Sequence, residues 1–266
     1  MLGAVGVTPR PRYVLRLRDR PAPDARLADN LDVDSAKLVQ GLLYYIVFLF
    51  STTLHEAAHA WAAKRGGDLT AYHGGQVSID PLPHIRREPF GMVVLPLLST
   101  LTSGWPFGFA SAPYDPQWAL RYPRRAAWMA VAGPAANLAL VILAIITIRV
   151  GVAAGVFYAP DSAGFGHLVG TNTKALGGIA AIVSIVFSMN LLLACLNLLP
   201  LPPLDGSAAI ILLMKGSVAN RYQQMLWKAP MLGMLGMLVA WRAVDAVFYP
   251  IFWLVVRVIY PTVSYG

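Results

Sequence analysis

The stretch KLVQGLLYYIVFLFSTTLHEAAHAWAAKR, residues 37–65, decides how this chain folds. No charged side chain lies between Lys37 and His55, so its first part is apolar enough to sit in lipid. Still inside the hydrophobic run, the sequence reads HEAAH from His55 to His59. Because residues four apart share one face of a helix, the two imidazoles are spaced to bind one zinc ion. The stretch therefore predicts a metal site inside a membrane helix.

Glu56 follows the first histidine directly, where its carboxylate can reach a water molecule at the metal and act as general base. Chance is a weak alternative, because five histidines and two glutamates among 266 residues give an expectation of roughly 0.0007 HExxH matches. A glutamate in an apolar helix is also energetically costly unless a function retains it.

The composition is that of a polytopic membrane protein. Charged residues make up 13% of the chain and hydrophobic residues 57%, whereas a soluble domain carries about 25% charged residues. We therefore attribute the net charge of +8 to loops that face the cytoplasm and anionic lipid headgroups, not to nucleic-acid binding. The single cysteine, Cys195, excludes an internal disulfide and a cysteine-based zinc cluster.

Three regions follow one another along the chain. Residues 1–36 are rich in arginine and aspartate and predict a polar tail with one short strand at Tyr13–Leu17. Residues 37–207 form the catalytic membrane core, and residues 208–266 form C-terminal membrane segments.

The expected fold is an all-α polytopic integral membrane protein with about 5–6 transmembrane helices. A short apolar run around Pro96 is below the length of a span, so the segment at about 90–113 is predicted to re-enter the membrane without crossing it. Weak alternation in TAYHGGQVSID predicts a short β-hairpin near the active site. The spans of the core are predicted at about 37–63, 126–150 and 176–199.

Two histidines leave a catalytic zinc site incomplete, because such sites usually have three protein ligands and one open position. Asp205 stands out as the third ligand, in PLPPLDG directly after the apolar run that ends at Leu199. The prolines break the helix, and irregular backbone in a membrane is tolerated where it is buried or lines a wet cavity. The alternative is that Asp205 caps a helix that begins near Ser207.

Three motifs, in this order, resemble the site-2 protease family of intramembrane zinc metalloproteases. They are HEAAH at 55–59, GPAAN at 133–137 and NLLPLPPLDG at 197–206, each on its own hydrophobic segment. The intervening stretches IDPLPH, FGMVVLPLL and GWPFGFASAP are similar to a compact bacterial branch without PDZ or CBS domains. The resemblance covers residues 37–207, and Gly133 is interpreted as a residue that lets helices approach closely.

The resemblance implies that His55, His59 and Asp205 hold one Zn²⁺ per chain and that Glu56 is the general base. It also implies hydrolysis of a peptide bond in or near a transmembrane helix of a membrane-anchored protein, as in regulated intramembrane proteolysis. The expected partners are this membrane-protein substrate and the lipid bilayer, with no nucleic acid. The identity of the substrate and the oligomeric state stay open.

Three further residues have two interpretations each. By resemblance, Asn197 and Asn137 position the substrate or the tetrahedral intermediate. Hydrogen bonds between helices are the alternative, because a buried amide in a membrane needs partners. His84 is either an accessory residue of the site or a histidine on the surface of a loop.

The metal ligands also constrain the topology. His59 and Asp205 must lie on one membrane face, so the first and third spans run in the same direction and the second runs oppositely. Residues 64–125 then lie on one side of the membrane and contain seven Lys and Arg residues. The loop 151–173, on the other side, contains no Lys or Arg. The positive-inside rule places the active site on the cytoplasmic side of a bacterial inner membrane, although it leaves the arginine-rich tail outside.

Two rival functions are weighed against a site-2-type protease. A zinc-holding membrane scaffold could bind transmembrane helices without hydrolysing them, but it would have no need of the buried carboxylate of Glu56 beside the metal. Membrane metallopeptidases of another type usually take a glutamate from a later helix as third ligand, and no glutamate follows Glu88.

Overall fold

The structure, a computed structural model, describes residues 23–265, with side chains from Lys37 onward apart from Pro230. The strand expected at Tyr13–Leu17 lies outside this range. The described part is helical: α1 Pro23–Gly66, α2 Thr70–His73, α3 Pro81–Arg87, α4 Leu95–Ser103, α5 Pro116–Arg121, α6 Pro123–Ala153, α7 Gly177–Asn197, α8 Asp205–Ala209, α9 Ser217–Lys228 and α10 Pro230–Ile259.

Four helices of the described residues are long and apolar enough to cross a membrane, instead of the expected five or six. They are Lys37–Gly66, Pro123–Ala153, Lys174–Asn197 and Met231–Ile259. In the C-terminal part, where the sequence allowed one or two spans, Pro250 lies inside α10 without ending it. A proline in a membrane helix is tolerated because neighbouring helices can satisfy the backbone that it frees.

Helices α1, α6 and α7 pack on one another and form the centre of the molecule. Small side chains permit this close packing, since Ala63 of α1 and Ala126 of α6 are buried in one cluster. Along α1, Leu42, Ile46 and Phe50 form an exposed stripe at a spacing of four residues. Such an apolar stripe is the side that a membrane helix presents to lipid.

The segment after α3 packs along α1, reverses its direction and returns to its own start. It begins with a π-helical turn at Phe90–Val94, continues as α4 and turns at Gly104, whose φ of 73° favours glycine. At its far end, the ring centroid of Trp105 lies 5.0 Å from that of Tyr44. On the way back, the Phe109 N–H donates to the carbonyl of Gly91, at 3.1 Å. This course agrees with the predicted re-entrant segment, whose place in a membrane stays a prediction.

The predicted β-hairpin is wrong for the stretch that follows α1, since no strand occurs among residues 23–265. Its first residues form the helical turn α2, and Gly75 reverses the chain with a φ of 73°. Asp80 then caps α3 by accepting the Leu82 N–H, with Pro81 at the first helical position. The four residues between these turns are too few to form a strand with a partner.

Candidate metal centre

Three side chains predicted from the sequence converge at one point. Nε2 of His55 and Nε2 of His59 are 3.0 Å apart, one helical turn from each other on α1. Oδ2 of Asp205 lies 3.1 Å from the first nitrogen and 3.3 Å from the second. The helical spacing of four residues places the two rings, and the tertiary fold brings in an oxygen from 150 residues further along the chain.

Each imidazole is oriented by an acceptor at its other nitrogen. Nδ1 of His55 donates to the side-chain carbonyl of Asn137, and Nδ1 of His59 donates to the backbone carbonyl of Met129, at 2.7 Å. These acceptors fix the proton on Nδ1, so both Nε2 lone pairs point into the centre. Two lone pairs and a carboxylate that face one another need a cation between them. The residues therefore fit zinc, which binds histidine nitrogen and carboxylate oxygen.

Asp205 is the first residue of α8, and the polar contacts of its side chain are with His55 and His59. The carboxylate faces the two imidazoles, which removes the alternative that it merely caps a helix. An aspartate carboxyl is ionised at neutral pH, as a metal-binding carboxylate must be.

Glu56 lies beside the ligands with only 5% of its surface exposed, and its Oε2 has no hydrogen-bond partner among the described residues. It opens onto a cavity of about 550 Å³ that the three ligands also line. The other walls come from the segment before α5, from α6, from the end of α7 and from α9: they include Ala110–Ala112, Tyr114, Met129, Asn197, Gln223, Leu226 and Trp227.

Gly133 has a more direct part in the site than the sequence indicated. A β-carbon built on this residue would overlap Nε2 of both His55 and His59. The missing side chain therefore leaves the space in which the ligand atoms meet, besides letting α6 approach α1. The sequence could place this glycine on a helix but could not show which neighbour it faces.

The two predicted asparagines have different surroundings. Asn137 is fully buried and joins His55 to α7, because its Nδ2 donates to Oδ1 of Asn190 at 2.9 Å. Asn190 in turn donates to Oγ of Ser51 on α1, at 2.9 Å, and was missed in the sequence. The only available signal was an amide within an apolar helix, which requires partners in lipid. Asn197 lines the cavity, and its Nδ2 donates to Leu193 of its own helix.

His84 does not belong to the metal centre. It is 1% exposed, and its Nε2 donates to the carbonyl of Ser78 at 3.0 Å. It is absent from the lining of the cavity. It is therefore a buried residue of the α2–α3 region and not a histidine on the surface of a loop.

A comparison with known families agrees with this centre. The sequence profile of the family described as Peptidase family M50 matches residues 43–238, which is most of the chain and contains all three motifs. The chain belongs to this family, the site-2 protease family. Its family and the four apolar helices found within residues 23–265 make it an integral membrane protein.

Individual relatives carry names of the same kind. Over 162 residues the chain is 32% identical to a Bacillus subtilis protein named “Putative zinc metalloprotease YwhC”, covering 60% of this chain and 64% of the relative. Further relatives are named “Putative zinc metalloprotease Rip2”. The Mycolicibacterium smegmatis protein is 30% identical over 183 residues, and the Mycobacterium tuberculosis H37Rv protein is 31% identical over 184. Both alignments cover 66% of this chain and 61% of the relative.

The chain thus spans less than two thirds of the length of these relatives. No solved structure matches it. Zinc, the cofactor predicted from the sequence, is confirmed by the names of the relatives and by three candidate ligands that lie together.

Proposed function

We propose that this chain is an intramembrane zinc metalloprotease that hydrolyses a peptide bond in or near a transmembrane helix of a membrane-anchored protein. The observation that carries the proposal is the meeting of His55, His59 and Asp205 beside the unpartnered, buried carboxylate of Glu56. A site that only bound zinc would have no use for this carboxylate, which favours proteolysis over a zinc-holding scaffold.

His55, His59 and Asp205 are the residues that would hold zinc, and zinc supplies a Lewis acid that activates water and stabilises negative charge on the scissile carbonyl oxygen. Glu56 takes the proton of the attacking water and returns it to the leaving amine. Its free Oε2 supports this role, because no hydrogen bond within the described chain has to break first.

The cavity suits an unwound substrate better than an intact helix. The carbonyls of a helix are occupied by their own hydrogen bonds, so the segment to be cleaved must open locally. The cavity wall formed by Ala110–Ala112 lies outside any helix, and its small side chains leave room for a peptide beside it. Asn197, on the end of α7, is then placed to contact the substrate, while Asn137 orients His55.

The proposed topology follows from the position of the ligands. His55 lies roughly 27 Å along α1 from Lys37, at a rise of about 1.5 Å per residue, which is near one face of a hydrocarbon core about 30 Å thick. The excess of basic residues over 64–125 supports the cytoplasmic face of a bacterial inner membrane. The segment 90–113 then enters the membrane from this face and returns to it.

The division into a core at 37–207 and C-terminal segments at 208–266 also needs a refinement. All four proposed catalytic residues lie in the core, but Gln223 of α9 and Gly233 of α10 line the cavity as well. The C-terminal segments are therefore proposed to contribute to substrate binding.

The test is zinc content and turnover of the detergent-purified protein, measured with a panel of fluorescent single-span peptides. We expect about one zinc per chain in the wild type and in Glu56→Gln, and much less in Asp205→Ala and in the double variant His55→Ala/His59→Ala. Turnover should be lost in all three variants. A wild type that binds zinc and these peptides without cleaving any of them would favour the scaffold, and retained turnover in Glu56→Gln would remove its role as base.

A further inference from the structure

One polar side chain of the cavity has neither a step in the mechanism above nor a hydrogen-bond partner for its buried oxygen among the described residues. Several others that line the cavity are occupied within the chain: Ser111 donates to Oε1 of Glu88 at 2.8 Å, and Ser207 donates to the carbonyl of Leu204 at 2.7 Å. Asn197 donates to Leu193. Gln223 differs, because its Oε1 is buried and has no hydrogen-bond partner among the described residues.

The position of Gln223 on α9 makes this amide unusual. Ala219 and Gln223 are buried and lie one helical turn apart, on the face that α9 turns toward the protein. Ala219 packs with Ala127 of α6 and Ile211, in the turn that follows α8. The pattern of the helix thus calls for an apolar residue at 223, where a glutamine is 4% exposed. A buried amide oxygen without a partner destabilises the protein unless a ligand satisfies it.

An unwound peptide offers the hydrogen-bonding groups that could pair with this amide. A segment that has left its helix exposes backbone N–H and C=O groups, and in a membrane cavity these need partners from the protein. A carboxamide is an acceptor and a donor at once, so it can pair with a peptide group of any sequence. The cavity that Gln223 lines is also the cavity of the metal centre and Glu56.

We propose that Gln223 is a substrate-binding residue, whose carboxamide hydrogen bonds with the backbone of the unwound substrate segment in the cavity. This rests on the proposed proteolytic function and adds a substrate contact from α9, outside the three motifs. Because the contact is to backbone groups, we expect it to form with substrates of different sequence.

The variant Gln223→Leu tests this, with Gln224→Leu as its matched control on the same helix. The side chain of Gln224 is exposed and does not line the cavity. We expect Gln223→Leu to lower kcat/KM by 10- to 100-fold, mainly through KM, with unchanged zinc content. Its Tm should stay equal or rise, because leucine removes an unsatisfied buried group. Gln224→Leu should behave as the wild type.

A second measurement separates this inference from the proposed function. The panel peptide that binds the Glu56→Gln variant most tightly is titrated against Glu56→Gln and against Glu56→Gln/Gln223→Leu. A loss of affinity of 10-fold or more in the double variant is expected whether or not the wild type cleaves that peptide. Equal affinity, or a Gln223→Leu enzyme with wild-type KM, overturns the role of Gln223. A Gln223→Leu variant with a lower Tm and less zinc would make the residue structural and overturn it as well.

Discussion

The α-carbon of Gly133 faces the imidazole of His59 so closely that a β-carbon at this position would overlap Nε2 of the ring. The same β-carbon would overlap Nε2 of His55. These are the atoms proposed to bind zinc. Because each ring makes a hydrogen bond through Nδ1, neither ring can move aside without breaking it. The metal site therefore depends on a residue that has no ligand atom.

We predict that Gly133→Ala lowers zinc content at least 10-fold, because overpacking displaces imidazoles that must converge on one ion. Elemental analysis of the purified variant measures this. The control is Gly178→Ala on α7, where a β-carbon would meet nothing within 4 Å. That variant should keep its zinc, and alanine should favour the helix by about 0.5–1 kcal/mol. A Gly133→Ala protein with full zinc would contradict the geometry of the site.

A second prediction separates the two asparagines. Asn137 accepts from His55, whereas the side-chain hydrogen bond of Asn197 stays within its own helix. Asn137→Leu should weaken zinc binding by about 10- to 100-fold, since removing the partner of a metal-bound histidine has effects of this size. Asn197→Leu should leave zinc affinity unchanged and lower turnover. Competition with a zinc chelator measures the affinities, and equal effects in the two variants would refute the distinction.

The three candidate ligands could be named from the sequence because local rules determine most of them. A spacing of four residues fixes the relation of His55 to His59 on any helix, and few acids are available in an apolar chain to complete the set. From the sequence, the asparagines were predicted either to position the substrate or the tetrahedral intermediate, or to link helices. Asn137 links helices, because one amide contacts His55 and Asn190 at once, and its role toward a substrate stays a prediction.

The remaining features depend on tertiary contacts that no local pattern encodes. Gly133 differs from a helical glycine such as Gly178 in what its α-carbon faces, which the sequence does not show. Gln223 lies one helical turn after Ala219, but only the packing of α9 in the tertiary structure shows that this face is buried and lines the cavity. The predicted hairpin failed because Gly75 and Pro81 impose turns on a stretch whose alternation was weak.

The third prediction concerns Asn190, which joins α7 to Asn137 and to Ser51. Asn190→Leu leaves two buried polar groups without this partner, so we expect it to reduce the free energy of unfolding by about 1–3 kcal/mol. Zinc affinity should fall as well, because Asn137 is no longer held in place. Both quantities are measured on the detergent-solubilised protein, by denaturant titration and chelator competition.

Ser188 provides the matched control for Asn190, half a helical turn away on α7. Its Oγ is buried and has no hydrogen-bond partner among the described residues. Ser188→Ala therefore removes an unsatisfied group and should be neutral or slightly stabilising. If Ser188→Ala and Asn190→Leu destabilise the protein equally, the loss comes from altered packing of α7 and not from the hydrogen bonds of Asn190.

The last prediction uses two glycines of α10 that lie three residues apart. A β-carbon on Gly236 would overlap the carbonyl oxygen of Pro202, whereas one on Gly233 would lie 3.9 Å from the nearest atom of Pro203. The prolines belong to the loop that leads into Asp205. Gly236→Ala should therefore displace the loop and its carboxylate and lower zinc affinity at least 10-fold. Gly233→Ala makes an ordinary van der Waals contact and should keep wild-type zinc affinity. If both variants bind zinc as the wild type does, α10 does not hold the third ligand in place.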